Sequence, residues 1–182
     1  HGSLGTPAPG FAGRRDIAIE AGAMRQGVGR AVVALDVGGT GVRALRVEAG
    51  GRVAKRAYRE VPAQCPAPGL VEHDPEALLS AVRQVLAAVL AGSGTGHVRG
   101  LGLATQRGVA VVWDAAGGRA LHPAISWQDG RTVARCRDLM AGGVFVSPFT
   151  AASKIEWVLD RIDPDRAATR AGRVRSRCRT RT

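Results

Sequence analysis

Ala31-Val-Val-Ala-Leu-Asp-Val-Gly-Gly-Thr-Gly-Val-Arg-Ala-Leu-Arg46 is the stretch whose reading decides the fold of this chain. Ala31 to Leu35 is an unbroken apolar run rich in β-branched residues, the composition of a strand buried on both faces. Asp36 then sets a carboxylate at the strand's end, and Gly38, Gly39 and Gly41 follow at once. Glycines so dense let the backbone turn tightly and bring its N–H groups close to a ligand. From Val42 to Val47 a second strand pattern begins, so the whole predicts a β-hairpin with a polar, glycine-lined tip. A carboxylate, bare amides, the Thr40 hydroxyl and the Arg43 guanidinium together suit a magnesium-bound polyphosphate. The same residues also fit an ordinary Gly-Gly hairpin turn with an exposed Asp, and both readings stay open at this point.

The 182 residues make one domain or part of a larger one, and 45% hydrophobic residues are enough to build a core. No run of 18 apolar residues occurs, so no transmembrane helix is expected. The three cysteines are odd in number and far apart, which suits neither a disulfide framework nor a zinc site and points to a reducing, cytoplasmic setting.

The net charge of +11 suggests nucleic acid until it is divided along the chain. Residues 1–30 carry four Arg against two acids, and residues 31–165 carry fifteen Lys/Arg against thirteen acids. Residues 166–182 carry seven Arg and no acid. The basicity therefore sits in a tail without stacking aromatics, which excludes specific nucleic-acid recognition as the main reading.

Residues 1–30 are rich in Gly, Ala and Pro, lack periodicity and hold no signal-peptide core, so they read as a disordered leader with Met24 as a candidate start. After the hairpin, Arg52 to Val61 alternates as a third strand. Asp74 is a good N-cap, Pro75 suits the first helical position, and Leu78 to Leu90 recur at helical spacing until Gly92. His73, just ahead, is expected at the surface or in the cap. Val98 to Ala104 is another buried strand, and Val109 to Asp114 the next. Strand, strand, strand, helix, strand describes an antiparallel hairpin system followed by a crossover to a parallel neighbour. Asp36, Gln106 and Arg107 then all lie at carboxyl ends of strands, where open α/β sheets place their ligands.

Pro123-Ala-Ile-Ser-Trp-Gln-Asp-Gly-Arg131 is a loop carrying Trp127 and Asp129. Trp127 could wall a pocket and stack on the carbon face of a small polyol, with neighbouring polar groups taking its hydroxyls. Equally, Trp127 could plug a small core and Asp129 cap the following helix. Thr132 to Met140 reads as a short helix, and Thr150 or Ser153 caps another running to Ile162.

Taken in order, four pieces resemble the N-terminal domain of the FGGY carbohydrate kinases, most nearly the glycerol kinases. They are Leu35-Asp-Val-Gly-Gly-Thr-Gly-Val-Arg43, Pro68-Gly-Leu-Val-Glu-His-Asp-Pro75, Gly102-Leu-Ala-Thr-Gln-Arg107 with Val112-Trp-Asp114, and Pro123 to Thr132; Ser153-Lys-Ile-Glu-Trp-Val-Leu159 continues the likeness. The resemblance covers about Val32 to Asp163. It implies an incomplete ribonuclease H-like, actin-like ATPase lobe of α/β class, a mixed sheet with an N-terminal hairpin system and flanking helices. It also implies ATP and Mg2+ as cofactors and a small sugar or polyol as substrate. Neither membrane nor nucleic acid is implied as a partner, and homo-oligomers are implied for full-length members.

Carried over by position, Asp36 resembles the magnesium-associated aspartate, and Gly38, Gly39, Thr40 and Arg43 the phosphate hairpin. Gln106 and Arg107 resemble the substrate-contacting pair, and Trp127 the aromatic against the substrate's carbon chain; Asp129 and Phe149 complete the candidate substrate set. The activity implied is transfer of the ATP γ-phosphoryl group to a primary hydroxyl of a glycerol-like polyol or a ketose. Two positions depart from the glycerol kinases: Gly108 stands where they carry Glu, and Phe149 where they carry Tyr, which opens the choice of polyol or ketose. The resemblance places the proton-accepting aspartate beyond Thr182, so no catalytic residue is expected within this chain.

The Arg-rich residues 166–182 read as a disordered tail of the kind that out-of-frame translation of GC-rich sequence gives. A truncated or frameshifted product that is inactive alone, or an inactive ATP- and phosphate-binding remnant, is therefore an expectation beside the active fragment. A glucokinase or regulator of the ROK type shares the Asp-x-Gly-Gly-Thr hairpin, but would bring a Cys/His zinc cluster that this sequence lacks.

Overall fold

The computed structural model describes residues 31–92 and 97–177. The expected leader, residues 1–30, lies outside the described residues. The chain first builds β1 (Ala31–Val37), β2 (Gly41–Val47) and β3 (Val53–Glu60) as an antiparallel meander. A two-residue strand, β4 (Glu72–His73), leads into the helix α1 (Pro75–Leu90), and β5 (Val98–Thr105) then returns parallel to β1. The sheet order is β3-β2-β1-β5, so β1 is a central strand and the crossover is the one the sequence predicts.

Helix α1 forms where its end signals place it. Asp74 Oδ1 accepts the N–H groups of Glu76 (2.8 Å) and Ala77 (3.2 Å), and Pro75 occupies the first turn, where it has no partner to lose. Ala81, Val85 and Val89 recur on one face and meet Val33, Leu35, Val42, Ala44 and Val61 in the first core. Val85 and Val89 are almost wholly buried, which stabilises the contact by about 1.5–3 kcal/mol for each side chain.

Burial of β1 is one-sided, which corrects the expectation of a strand covered on both faces. Val33 and Leu35 are buried under α1, while Val32, Ala34 and Asp36 alternate with them on an open face. The helix lies over β1, β2 and β3 and leaves β5 uncovered, so Leu101 and Leu103 remain more than half exposed. Hydrophobicity showed that the strand can be buried; only the placement of α1 shows which face is.

A second core lies beyond β5. It joins β6 (Val111–Asp114), β7 (Ala124–Ile125) and α3 (Ala151–Ile162) through Ala110, Val112, Ile125, Ala151, Val158 and Leu159. Helix α2 (Val133–Ala141) attaches to α3 through a buried hydroxyl pair, Thr132 and Ser153, 2.9 Å apart. Thr150 takes the N-cap position of α3, but its hydroxyl donates to Ser147 O (2.7 Å) instead of capping the helix. The two cores are tied by the β4–β7 ladder and by backbone bonds from Ser126 to Val71 and from Gly130 to Gly69.

The expectation of a structureless tail from residue 166 is corrected for residues 166–177. A single helical turn, α4 (Ala167–Arg170), leads to β8 (Val174–Arg177), which pairs antiparallel with β6. Buried Asp163 holds this connection by accepting from Ala168 N (3.0 Å), Thr169 N (2.8 Å) and Thr169 Oγ1 (2.6 Å). The Thr169 hydroxyl bond, aided by the two backbone donors against the opposing effect of burial, lowers its pKa to about 2. Backbone pairing requires no apolar pattern, and an edge strand can carry Arg side chains outward. Among the described residues, no helix is long and apolar enough to cross a membrane.

Candidate functional site

The tip between β1 and β2 is shaped by contacts to β3. Tyr58 Oη donates to Thr40 O (3.1 Å), and Val61 N donates to the same carbonyl (3.1 Å). A Cβ on Gly41 would stand 2.5 Å from both Arg59 O and Tyr58 Oη, so glycine is required for this approach. Gly38 N–H closes the turn onto Gly41 O (2.9 Å), so its amide is spent within the hairpin. That corrects Gly38 as a source of a bare amide: its part is to shape the bend. Asp36 and Arg43 are register partners on the open face of the sheet, and the Arg43 guanidinium lies 5.7 Å from the Tyr58 ring centre.

The end of β5 lies beside this tip. Gln106 N donates to Val37 O (3.1 Å), and a Cβ built on Gly39 would be 3.2 Å from the Gln106 Oε1. Gln106 therefore lies against the hairpin bend, followed by exposed Arg107. Gly108 comes next with φ +72°, a conformation that L side chains rarely adopt. Its absent Cβ would stand 2.2 Å from Phe149 O and 3.0 Å from Trp127 Cβ, so two loops converge on this one glycine. The Trp127 and Phe149 rings are 6.3 Å apart and inclined at 49°, and 41% and 63% of the two residues is exposed. Trp127 therefore does not plug a core. With Phe149 it forms an aromatic surface next to the Gln106-Arg107 pair, with a face left open.

Asp129 is elsewhere in its chemistry. It is 2% exposed, and Oδ2 accepts from Val71 N (2.6 Å) and Arg131 Nη2 (2.8 Å), while Oδ1 accepts from Arg131 N (2.9 Å) and Nε (2.8 Å). Burial works against the charged carboxylate, but the bonds from Arg131 and Val71 outweigh it and hold the carboxyl below its ordinary range. Arg131 also donates to Glu72 Oε1 (2.6 Å) and lies over the Trp157 ring. With its lone pairs occupied, Asp129 has none to offer a substrate, and this corrects its place among the candidate contacts. It fixes the loop that presents Trp127.

Two residues of the site were not legible beforehand. Lys154 is wholly buried in the first turn of α3, and its Nζ donates to Pro148 O (2.5 Å) and Thr150 O (3.3 Å) on either side of Phe149. Burial lowers its pKa, and the two carbonyls satisfy the ammonium that remains. The available signal was a lysine adjoining the apolar series Ile155, Val158 and Leu159. His73 is 1% exposed, not at the surface, and its Nε2 lies 3.4 Å from Gln106 Nε2.

Among the described residues, no cluster of three or more His, Cys, Asp or Glu could hold a metal ion. A magnesium ion carried by a polyphosphate needs only one or two carboxylates, with phosphate and water oxygens completing its shell. The single exposed carboxylate of Asp36 at a glycine bend fits that donor set. A cavity of about 590 Å³ also opens beside β5. Val37, Leu78, Leu103, Val109 and Val111 make its wall mainly apolar, and Asp36, Trp127 and Phe149 do not line it. Gln106 and Gly108 also line it, so it adjoins the polar site at the end of β5, while the rest of its wall is that of an uncovered core.

A family model described as the FGGY family of carbohydrate kinases, N-terminal domain, matches residues 31–172. A glycerol kinase of Gloeobacter violaceus is 39% identical over 159 residues, which are 82% of this chain and 32% of that protein. A Plasmodium falciparum glycerol kinase, solved with ADP, superposes with a TM-score of 0.72 at 16% identity, over 81% of this chain and 32% of the other. A xylulose kinase from Rhodospirillum rubrum gives a TM-score of 0.65 at 27% identity, over 75% of this chain and 30% of its own. The chain thus spans about a third of the length of the relatives it matches.

Proposed function

The chain belongs to the FGGY family of carbohydrate kinases, and from that premise we propose that it is the phosphate- and acceptor-binding lobe of an enzyme that moves the ATP γ-phosphoryl group to a primary hydroxyl. The acceptor is a glycerol-like polyol or a ketose. One observation carries this reading: Gln106, at the end of β5, lies against Gly39 of the hairpin bend, so phosphate-type and acceptor-type residues meet at adjacent strand ends.

In this reading the Gly39 and Thr40 amides and the Thr40 hydroxyl face phosphate oxygens, and Arg43 balances their charge. Asp36 holds a magnesium ion, which would neutralise charge on the phosphates. Arg107 and Gln106 direct the acceptor's hydroxyls, and Trp127 and Phe149 bound its carbon chain. The rate gain comes mainly from positioning and charge stabilisation, because phosphoryl transfer asks for little covalent chemistry from the protein. A proton acceptor for the attacking hydroxyl is not assigned to a residue of this chain.

Thermal unfolding of the 182-residue chain with and without Mg·ATP tests the phosphate reading. Ligand at 100 times its Kd stabilises the native state by about 2.7 kcal/mol, a readily measured rise in Tm. Asp36→Asn should unfold at the wild-type temperature without ligand and lose most of that rise. No shift in the wild-type chain would remove the phosphate reading.

A further inference from the structure

Lys154 is wholly buried in the helix that carries the second core. An ammonium in such a place costs free energy that an apolar side chain of the same volume would not, so its presence calls for a reason. Burial is the main effect against the charge, and the fields of Asp129 and Arg131 act on it in opposite directions. Arg131 already engages both Asp129 oxygens, so that carboxylate does not account for a second cation. The bonds that Lys154 makes go elsewhere, to Pro148 O (2.5 Å) and Thr150 O (3.3 Å).

These two carbonyls belong to a turn that is otherwise closed on itself. Phe149 N donates to Ser147 Oγ (3.2 Å), while Thr150 N (3.0 Å) and Thr150 Oγ1 (2.7 Å) both donate to Ser147 O. Each of these bonds stays within residues 147–150, and the Lys154 ammonium fastens the turn to the body of α3. The carbonyls before and after Phe149 face the ammonium, and the carbonyl of Phe149 itself faces Gly108, where an added Cβ would stand 2.2 Å away. The Phe149 side chain leaves the turn beside Trp127, with the ring centres 6.3 Å apart. It is 63% exposed, so its place is set by the backbone that carries it and not by core packing.

We propose that Lys154 is a positioning residue for the acceptor side: by holding the Pro148 and Thr150 carbonyls it sets the Phe149 ring against Trp127, and the two rings select an acceptor that offers a carbon–hydrogen face. The acceptor part rests on the kinase reading above, whereas the clamp does not. Two rings inclined at 49° give a ligand two apolar planes, which suit the carbon skeleton of a polyol or ketose and leave its hydroxyls to polar partners.

Nuclear magnetic resonance of the isotopically labelled 182-residue chain tests the clamp without any ligand. The Lys154 ammonium protons should exchange slowly and couple across their hydrogen bonds to the Pro148 and Thr150 carbonyl carbons. The Trp127 and Phe149 rings should show mutual proton contacts. An ammonium in fast exchange with water overturns the clamp, whichever variants fold. Lys154→Met, which keeps the volume, should lose the ring contacts, and a folded K154M that keeps them also overturns the clamp. Titration with glycerol and with D-fructose then reads the acceptor side. K154M should weaken the acceptor that binds about tenfold, the worth of one well-placed ring, and leave stabilisation by Mg·ATP as in wild type. Phe149→Ala should cause the same loss, and adding K154M to it should cost nothing further, since Lys154 acts through that ring. Undiminished acceptor binding by K154M, additive losses in the double variant, or an equal loss of Mg·ATP stabilisation overturns the positioning role. Absence of binding to both acceptors in the wild-type chain overturns the selection and counts against the kinase reading, and the ammonium signals still decide the clamp.

Discussion

Gly108→Ala is the sharpest test of how the acceptor side of the site is assembled. The new Cβ would stand 2.2 Å from Phe149 O, against 3.4 Å for ordinary contact, so a gap of 1.2 Å must be opened. The obstructing atom is backbone, and no rotamer change can clear it. Alanine would also be held at φ +72°, which costs roughly 1–2 kcal/mol. Displacing the Phe149 loop adds about 1–3 kcal/mol, as overpacking generally does. Lys154 resists the displacement because it holds the carbonyls on both sides of Phe149. The total is about 2–5 kcal/mol, which at a urea m-value of about 2 kcal/mol/M lowers the unfolding midpoint by about 1–2.5 M. Urea titration followed by circular dichroism gives the midpoint. The indole N–H resonance of Trp127 should shift in the folded variant, because Phe149 is drawn away from its ring. A stability within about 0.5 kcal/mol of wild type, with Trp127 unmoved, would refute the convergence of the two loops on Gly108.

Two further outcomes follow from the buried carboxylates. Asp129→Asn should destabilise the fold by about 3–5 kcal/mol, since it leaves the buried Arg131 guanidinium short of its main partner; if the variant keeps wild-type stability in urea but loses affinity for polyol, Asp129 is a substrate contact after all. Asp163 has a folded pKa of about 2, below its unfolded value, so its stabilisation is complete above the ordinary carboxylate range and is lost as pH falls toward 2. Asp163→Asn should flatten the dependence of Tm on pH in that window, and an unchanged acid limb would contradict the bonds to Ala168 and Thr169.

The periodicities of the chain were enough to establish the meander, the capped helix and the parallel return strand, because each depends on local geometry. An apolar β-branched run, a glycine bend and an Asp-Pro helix start have the same consequences wherever they occur. The carboxylate at a strand end and the Gln106-Arg107 pair were legible for the same reason: strand ends are marked by where hydrophobicity stops. The tertiary structure alone decided matters of partnership. Asp129 and Trp127 sit two positions apart in one loop, yet Arg131 and Val71 N take up the carboxylate while the indole remains open. His73 reads as a surface cap residue, and only the β4–β7 ladder buries it against Gln106. Lys154 and Gly108 matter because the Phe149 segment, some forty residues beyond Gly108, comes back across the end of β5. Local sequence sets backbone preference and the supply of chemical groups; burial and hydrogen-bond saturation depend on residues distant in the chain, and these determine which groups remain free to meet a ligand.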